Sequence, residues 1–337
     1  MPKTKRLNVG IVGAGLMGHW HANAARRTGA HISAIADKNN EASRRLAGKY
    51  FHAKSFSSVE QMLENMEINV LHICTPTDTH VEISEIALES GINLVIEKPV
   101  TPTTVETERI LKQAASNNVI LCAVHQFLFQ EGVLKAKGLL NKIGRMIHIE
   151  STICSAGADG LAGRQRDLIA ADILPHPLSL MQSFVPGGVS SEEWNVVHPE
   201  HGDLRISCNM AEVTMSIFIS MNARPTECSL KIVGTDGAIH IDLFHGYSFL
   251  ESGKVSRTRK ILHPFSFSAS KFFSATVNLS RRIVQRESAY PGLYKMINSF
   301  YRSVLTHSKC PISDEDTLAV AIARDKLLQS VGFDKVL

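Results

Sequence analysis

A chain of 337 residues, 44% apolar and 20% charged, is long enough for two domains and apolar enough to bury a core in each, which excludes a disordered protein. Lys and Arg number 36 against 32 Asp and Glu, and a net charge of +4 is too small for a dedicated nucleic-acid binder. Cys74, Cys122, Cys154, Cys208, Cys228 and Cys310 form no CxxC pair and no Cys/His group with zinc spacing, so no metal is expected. No segment has the length of a membrane span, and the basic start MPKTKRLNVGIVGAG enters a strand at once instead of ending in a cleavage site. A reducing cytoplasm and no membrane partner are therefore expected.

In chain order, Leu7–Val12 is a short apolar run followed by glycines, and Ile32–Ala36 is a second, ending at Asp37. Val70–Cys74 is a third, with a helix expected from Asp78 whose Ile83, Ile86 and Ala87 form one stripe. Ile92–Ile96 is a fourth strand, Ile110, Leu111 and Ala114 mark the next helix, and Val119–Val124 is a fifth strand. Short apolar strands between amphipathic helices imply a parallel, doubly wound sheet covered on both faces. After about residue 145 the pattern changes. From Glu212 to Met221, Val213, Met215, Ile217, Ile219 and Met221 alternate with Thr214, Ser216, Phe218 and Ser220, a strand with one buried face. Similar runs at Arg145–Ile153, Leu230–Val233 and Ala238–Leu243, the last two joined by the turn Gly234-Thr235-Asp236-Gly237, give a mostly antiparallel sheet with few helices. Residues 252–287 are Ser-rich and basic and carry no clear pattern. Ser313 and Asp316 form a capping pair before a final helix marked by Leu318, Ala321 and Ile322. The expected division is a first domain over 1–125 and an α+β second domain over 126–337, whose terminal helix can pack back on the first.

The first strand runs into Gly13-x-Gly15-x-x-Gly18, with Leu16 and Met17 inside the motif. Gly13 permits a tight turn, Gly15 lets a pyrophosphate approach the backbone, and Gly18 lets helix and strand pack closely. The helix N-terminus supplies free N–H groups and partial positive charge for phosphates. Asp37 ends the second strand 19 residues past Gly18, where its carboxylate accepts hydrogen bonds from a ribose diol and repels a 2′-phosphate. NAD is favoured over NADP, although Lys38 weakens the preference.

Three clusters follow the carboxyl ends of later strands, where open α/β sheets bind ligands. Cys74-Thr75-Pro76-Thr77-Asp78-Thr79-His80 is a loop and a helix start; Glu97-Lys98-Pro99 is either a site or a solvated strand end; Val124-His125-Gln126-Phe127 holds a histidine of structural or catalytic use. Further on, Asp172 and His176 stand four apart. Pro177 disfavours helical geometry at His176, which is expected on the turn just before a helix through Leu178, Met181 and Gln182. Arg164 and Arg166 either grip an anionic substituent or belong to a solvated loop, and the basic stretch Lys254–Lys260 is open in the same way.

Taken together, GIVGAGLMG, CTPTDTH, EKPV, AVHQFLF, the Asp172–His176 spacing, VGTDGAIHID and PISDEDTLAVAIARDKLLQS resemble the Gfo/Idh/MocA family of oxidoreductases over nearly the whole chain. The resemblance implies an N-terminal NAD(P)-binding Rossmann domain and a C-terminal domain with an open sheet, used for substrate and for forming dimers or tetramers. It implies that Lys98, Asp172 and His176 match the family's catalytic lysine, acid and histidine, and that Thr75, Pro76, His80, Glu97 and His125 match cofactor-side positions. Gln126 stands where the family usually has Asn, and Leu174 and Pro175 stand ahead of His176. The implied reaction is hydride transfer between a nicotinamide and a secondary hydroxyl of a sugar, polyol or sugar derivative. His176, with an ordinary pKa of about 6.5, would take the hydroxyl proton. Asp172 would orient it, and Lys98 would stabilise the forming alkoxide by roughly 3 kcal/mol. The competing readings are a non-catalytic NAD(P)-sensing regulator and a reductase of a conjugated or imine substrate.

Overall fold

The computed structural model describes residues 6–189, 194–210, 212–254, 256–285, 287 and 289–333. The chain divides into two compact units: one runs to His125 and takes in Leu293–Ala321, and the other is Gln126–Gly292 with the chain from Ile322 onward.

The first unit alternates β1 (Asn8–Val12), α1 (Leu16–Arg27), β2 (His31–Ala36), α2 (Asn40–Ala47), β3 (Lys54–Phe56), α3 (Val59–Asn65), β4 (Val70–Ile73), α4 (His80–Glu89), β5 (Asn93–Ile96), α5 (Thr104–Ser116) and β6 (Leu121–Ala123). Its strands pair in parallel in the order β3-β2-β1-β4-β5-β6. Strand side chains of both parities are buried, Ile11, Ile35, Leu71, Ile73, Leu94 and Ile96 among them, because helices cover both faces. Strand order reverses between β1 and β4, so the residues after both strands share the crevice in which open parallel sheets bind ligands.

Two details differ from expectation. The helix expected from Asp78 begins at His80, after a 3-10 turn over Thr77–Thr79. β3 and the helices beside it had no strong pattern: β3 has three residues, and α2 buries only Ser43, Leu46 and Ala47.

The second unit opens with α6 (Glu131–Lys137), β7 (Met146–Cys154), α7 (Arg164–Ile173) and α8 (Pro175–Phe184). It continues through β8 (Trp194–Val197), β9 (Asp203–Met210), β10 (Val213–Ser220), β11 (Glu227–Gly234), β12 (Gly237–Asp242) and β13 (Tyr247–Ser252) into α9 (Arg257–Gln285). The seven strands lie in the order β13-β12-β11-β7-β10-β9-β8, antiparallel except that β7 and β10 run parallel. The expected alternation holds: Met215, Ile217 and Ile219 are buried with Ile149, Leu230, Ile232, Ile239 and Ile241, while Glu150, Thr214 and Lys231 are exposed. The turn after Gly234 joins β11 to β12 as an antiparallel hairpin. The expectation of few helices is wrong, since residues 252–287 hold the 29-residue α9. Within the basic stretch Lys254–Lys260, Val255 and the side chains of Arg257, Thr258 and Arg259 lie outside the described residues.

α10 (Leu293–Thr306) and the start of α11 (Asp314–Ser330) belong to the first unit. Ser313 and Asp316 cap α11 reciprocally as expected: the Asp316 amide donates to Ser313 Oγ at 3.0 Å, and the Ser313 hydroxyl donates to Asp316 Oδ2 at 2.8 Å.

α5 begins with a full capping box, in which the Glu106 amide donates to Thr103 Oγ1 and the Thr103 amide donates to Glu106 Oε2. Thr103→Ala orphans one end of that exchange and is expected to lower stability by about 1 kcal/mol in urea denaturation. An unchanged midpoint would remove the box from the account of α5.

Candidate active site

The turn out of β1 is shaped by backbone packed against backbone. Gly13 has φ +94°, and a Cβ on it would stand 2.5 Å from the Cys74 carbonyl oxygen; a Cβ on Gly18 would stand 1.9 Å from the Gly13 oxygen. Neither position admits a side chain. Gly15 is different, because nothing lies within 4 Å of the Cβ it lacks. The fold itself does not require glycine there. α1 has no side-chain cap and no acidic residue in its first turn, so its leading N–H groups are left for an external anion. Leu16 beside them is 66% exposed, and Met17 is half-buried.

Asp37 closes this turn from the second strand. Its Oδ2 accepts the Ala14 amide at 2.6 Å, and its Oδ1 accepts the Asn39 amide at 2.7 Å. A carboxylate offers about four acceptor positions, so two amides fix its orientation and leave capacity for a diol. Lys38 is exposed.

The segment after β4 is held from within. His80 is fully buried, with Nε2 2.9 Å from the Thr75 carbonyl and Nδ1 3.1 Å from the carbonyls of Pro99 and Val100. It ties the loop after β4 to the loop after β5. Thr75 is half-buried, with Oγ1 accepting the Thr79 hydroxyl at 2.7 Å, and Pro76 is exposed.

Beneath Lys98 runs a buried polar row that the sequence reading missed. The Lys98 amide donates to Glu97 Oε2 at 3.2 Å, and Glu97 Oε1 lies 2.9 Å from His21 Nε2. His21 Nδ1 lies 2.8 Å from His72 Nδ1, and His72 Nε2 lies 2.7 Å from the Tyr301 hydroxyl. Burial pushes the Glu97 carboxyl up, but the His21 hydrogen bond and the charges of His21 and Lys98 outweigh it and hold it below the usual range. Burial, with the His21 charge, keeps His72 well below the usual imidazole range, and burial raises the Tyr301 phenol well above its own. The row thus carries a carboxylate at the Lys98 end and a neutral imidazole and phenol at the other. The available signal was His72, a polar residue in an otherwise apolar strand.

His125 is buried, and among the described residues its Nδ1 has no hydrogen-bond partner. Burial is the main cause that brings its pKa down to about 4, Asp316 and Glu97 opposing it and Lys98 adding to it, so the ring is neutral.

In the second unit, Gln126 is buried, and its Oε1 also lacks a partner. Asp172 is exposed in the last turn of α7, with Arg324 among the charges it faces. His176 lies in the first turn of α8, not ahead of it as expected. Pro175 and Pro177 both fit the first turn of a helix, where no N–H donor is needed, and α8 therefore starts on the prolines. The half-buried His176 ring stacks on Phe127 at 4.4 Å and 17°. Arg166 is committed to the Leu161 carbonyl at 2.8 Å and to Asn222, while Arg164 is exposed at the start of α7. One further group was missed although its H-x-x-H spacing was readable: buried Asp167 lies 2.9 Å from His198 Nε2 and 2.5 Å from His201 Nδ1 and also accepts the Gly202 amide. These ligand atoms lie within 4.8 Å of one another, a set that could hold a metal ion.

Comparison with known proteins agrees with this geometry. Residues 7–125 match the oxidoreductase family with an NAD-binding Rossmann fold, Gfo/Idh/MocA. UDP-N-acetylglucosamine 3-dehydrogenase of Acidithiobacillus ferrooxidans is 29% identical over 119 residues, 35% of this chain and 37% of that protein. Inositol 2-dehydrogenase of Corynebacterium glutamicum is 33% identical over 111 residues, 32% of this chain and 33% of that protein. The chain thus spans about a third of the length of these curated relatives. The structure of a levoglucosan dehydrogenase with NADH and levoglucosan has the same fold, with a TM-score of 0.79 at 19% identity over 98% of both chains. Residues 7–125 thus match the NAD-binding domain of the Gfo/Idh/MocA oxidoreductases in sequence, and the whole length matches a solved structure in fold.

The buried imidazoles set a pH dependence. His72 and His125 are neutral in the fold and take up protons when unfolded below about pH 6.5, so their contribution is full above that pH and is lost as pH falls. Between pH 6.5 and about 4, His125 alone accounts for roughly 3 kcal/mol of lost stability. Urea midpoints should fall steadily across that window, and less steeply in His125→Asn. A flat wild-type profile would contradict the neutral rings.

Proposed function

We propose that this chain is an NAD(P)-dependent dehydrogenase or reductase acting on the CH–OH group of a sugar, polyol or sugar derivative. The observation that carries the reading is the open space at Gly15 beside an uncapped α1, inside a turn whose other two glycines are required by packing. An anionic diphosphate accounts for the glycine that the fold does not need. Gly13, Gly15, Leu16, Met17 and Gly18 hold the pyrophosphate, and Asp37 holds the adenosine ribose, with Lys38 beside it. The Asp37 carboxylate disfavours a 2′-phosphate, so NAD is preferred to NADP. Thr75, Pro76, Glu97, Lys98, His125 and Gln126 serve the nicotinamide half, and His80 acts by holding their loops. The unpartnered Nδ1 of His125 suits a carboxamide.

When bound, the nicotinamide supplies the hydride acceptor, or the donor in reverse. The protein's own groups manage the proton. His176 takes it from the substrate hydroxyl, its ring plane fixed by Phe127, and Asp172 orients it from the preceding helix. Lys98 donates a hydrogen bond to the oxygen as negative charge develops. Arg164 and Arg166 are assigned to an anionic substituent of the substrate, Arg166 from a side chain also held by the Leu161 carbonyl and Asn222. The substrates named for relatives, inositol, levoglucosan and UDP-N-acetylglucosamine, define the panel to test.

The same reading assigns a homodimer or homotetramer formed through the outer face of the second sheet, where Phe218 stands among polar residues. It also assigns a cytoplasmic location, supported by six cysteines of which none forms a disulfide among the described residues.

The test is NAD reduction against inositols, anhydrosugars and UDP-N-acetylhexosamines. Lys98→Ala and His176→Ala should each lower kcat by roughly a hundredfold, and His176→Ala should leave NAD affinity unchanged. Full turnover by either variant would remove that residue from the mechanism, and inertness toward the whole panel would favour the sensor reading.

A further inference from the structure

Of the 18 large apolar side chains exposed among the described residues, nine stand on α9. Ile261, Phe265, Phe272, Leu279 and Ile283, spaced by four and seven, fall within about 40° of one another around a helix of 3.6 residues per turn, and each is between 59 and 74% exposed. Phe273, at 70%, widens the stripe. The opposite side anchors the helix. Phe267 packs edge-on against Phe249 at 5.1 Å and His240 at 5.3 Å, His263 Nε2 lies 2.8 Å from Glu251, and the Asn278 amide donates to the His245 carbonyl at 2.9 Å. The usual arrangement of a surface helix is therefore inverted, with the apolar stripe outward.

The charge of α9 selects what covers it. Its 29 residues contain Arg257, Arg259, Lys260, Lys271, Arg281 and Arg282, and neither Asp nor Glu. Arg281 pairs with Glu131 at 2.7 Å; the helix itself carries no acid, so a second α9 laid against it meets like charge, whereas an anionic surface attracts the exposed Lys260 and Lys271. No helix among the described residues is long and apolar enough to cross a membrane. A long basic helix with a Phe- and Ile-rich stripe and low mean hydropathy has the make-up of one that lies in the plane of a bilayer surface.

We propose that α9 is a membrane-surface helix, its stripe of Ile261, Phe265, Phe272, Leu279 and Ile283 entering the interface of an anionic bilayer with Lys260 and Lys271 at the headgroups. This revises the expectation of no membrane partner drawn from the lack of a spanning segment. The proposal does not depend on the dehydrogenase reading.

The experiment is flotation of the full chain with vesicles of phosphatidylcholine alone and of phosphatidylcholine with an equal part of phosphatidylglycerol. The chain should float with the anionic vesicles at least roughly tenfold more than with the neutral ones, and less as salt is raised. The double variant Phe265→Ser, Phe272→Ser changes two exposed positions, so it should keep its thermal midpoint and stay with the unbound protein. Flotation by neither vesicle, equal flotation by both, or a variant that floats like the wild type overturns the proposal. A wild-type dimer that the double variant converts to monomer, without flotation, assigns the stripe to a second copy instead.

Discussion

The close approach of the β1–α1 turn to the end of β4 is the constraint on which the first unit depends. With 2.5 Å between a Gly13 Cβ and the Cys74 oxygen, and 1.9 Å between a Gly18 Cβ and the Gly13 oxygen, side chains cannot be accommodated. That contact places the start of α1 at the crevice where the strand order reverses. Asp37 then fastens the turn through the Ala14 amide, so one carboxylate both shapes the loop and presents acceptors beside it. A parallel sheet whose strands are buried on both faces provides the rigid support such a turn needs.

Polar groups below the surface extend this support to Lys98. A buried carboxylate is costly unless hydrogen bonds hold it, and Glu97 is held by His21 and by the Lys98 amide. His72 and Tyr301 continue the row into the core, so the backbone at Lys98 is tied to β4 and α10. His80 makes a parallel tie between the loops after β4 and β5. The contacts these histidines make are to protein atoms. They stiffen the loops that the proposed chemistry uses.

What could be read in the sequence follows from how each element is stabilised. β1, β2, β4, β5 and β6 are short apolar runs because both their faces are buried, and the alternation in β10 shows because only one of its faces is. β3, α2 and α3 sit at the sheet edge and bury few side chains, so they leave little trace. α9 was missed for a different reason. Its helical spacing is present in Ile261, Phe265, Phe272, Leu279 and Ile283, but serines, basic residues and Pro264 interrupt it, and no core stands opposite the stripe to explain it. Within the site, the glycine turn and Asp37 were legible because their chemistry is local. The partners of Glu97 were not, because His21, His72 and Tyr301 come together only in the fold. His176 stands in the first turn of α8, and not ahead of it, because proline is favoured where helices begin.

The central claim is that the space above Gly15 is kept for a dinucleotide, and calorimetric titration of NAD into the wild type and Gly15→Val tests it most directly. A Cβ at that position meets nothing within 4 Å, so the variant should still fold while NAD affinity falls by roughly tenfold or more. If Gly15→Val folds normally and binds NAD as the wild type does, the turn does not cradle the cofactor and the account fails at its base.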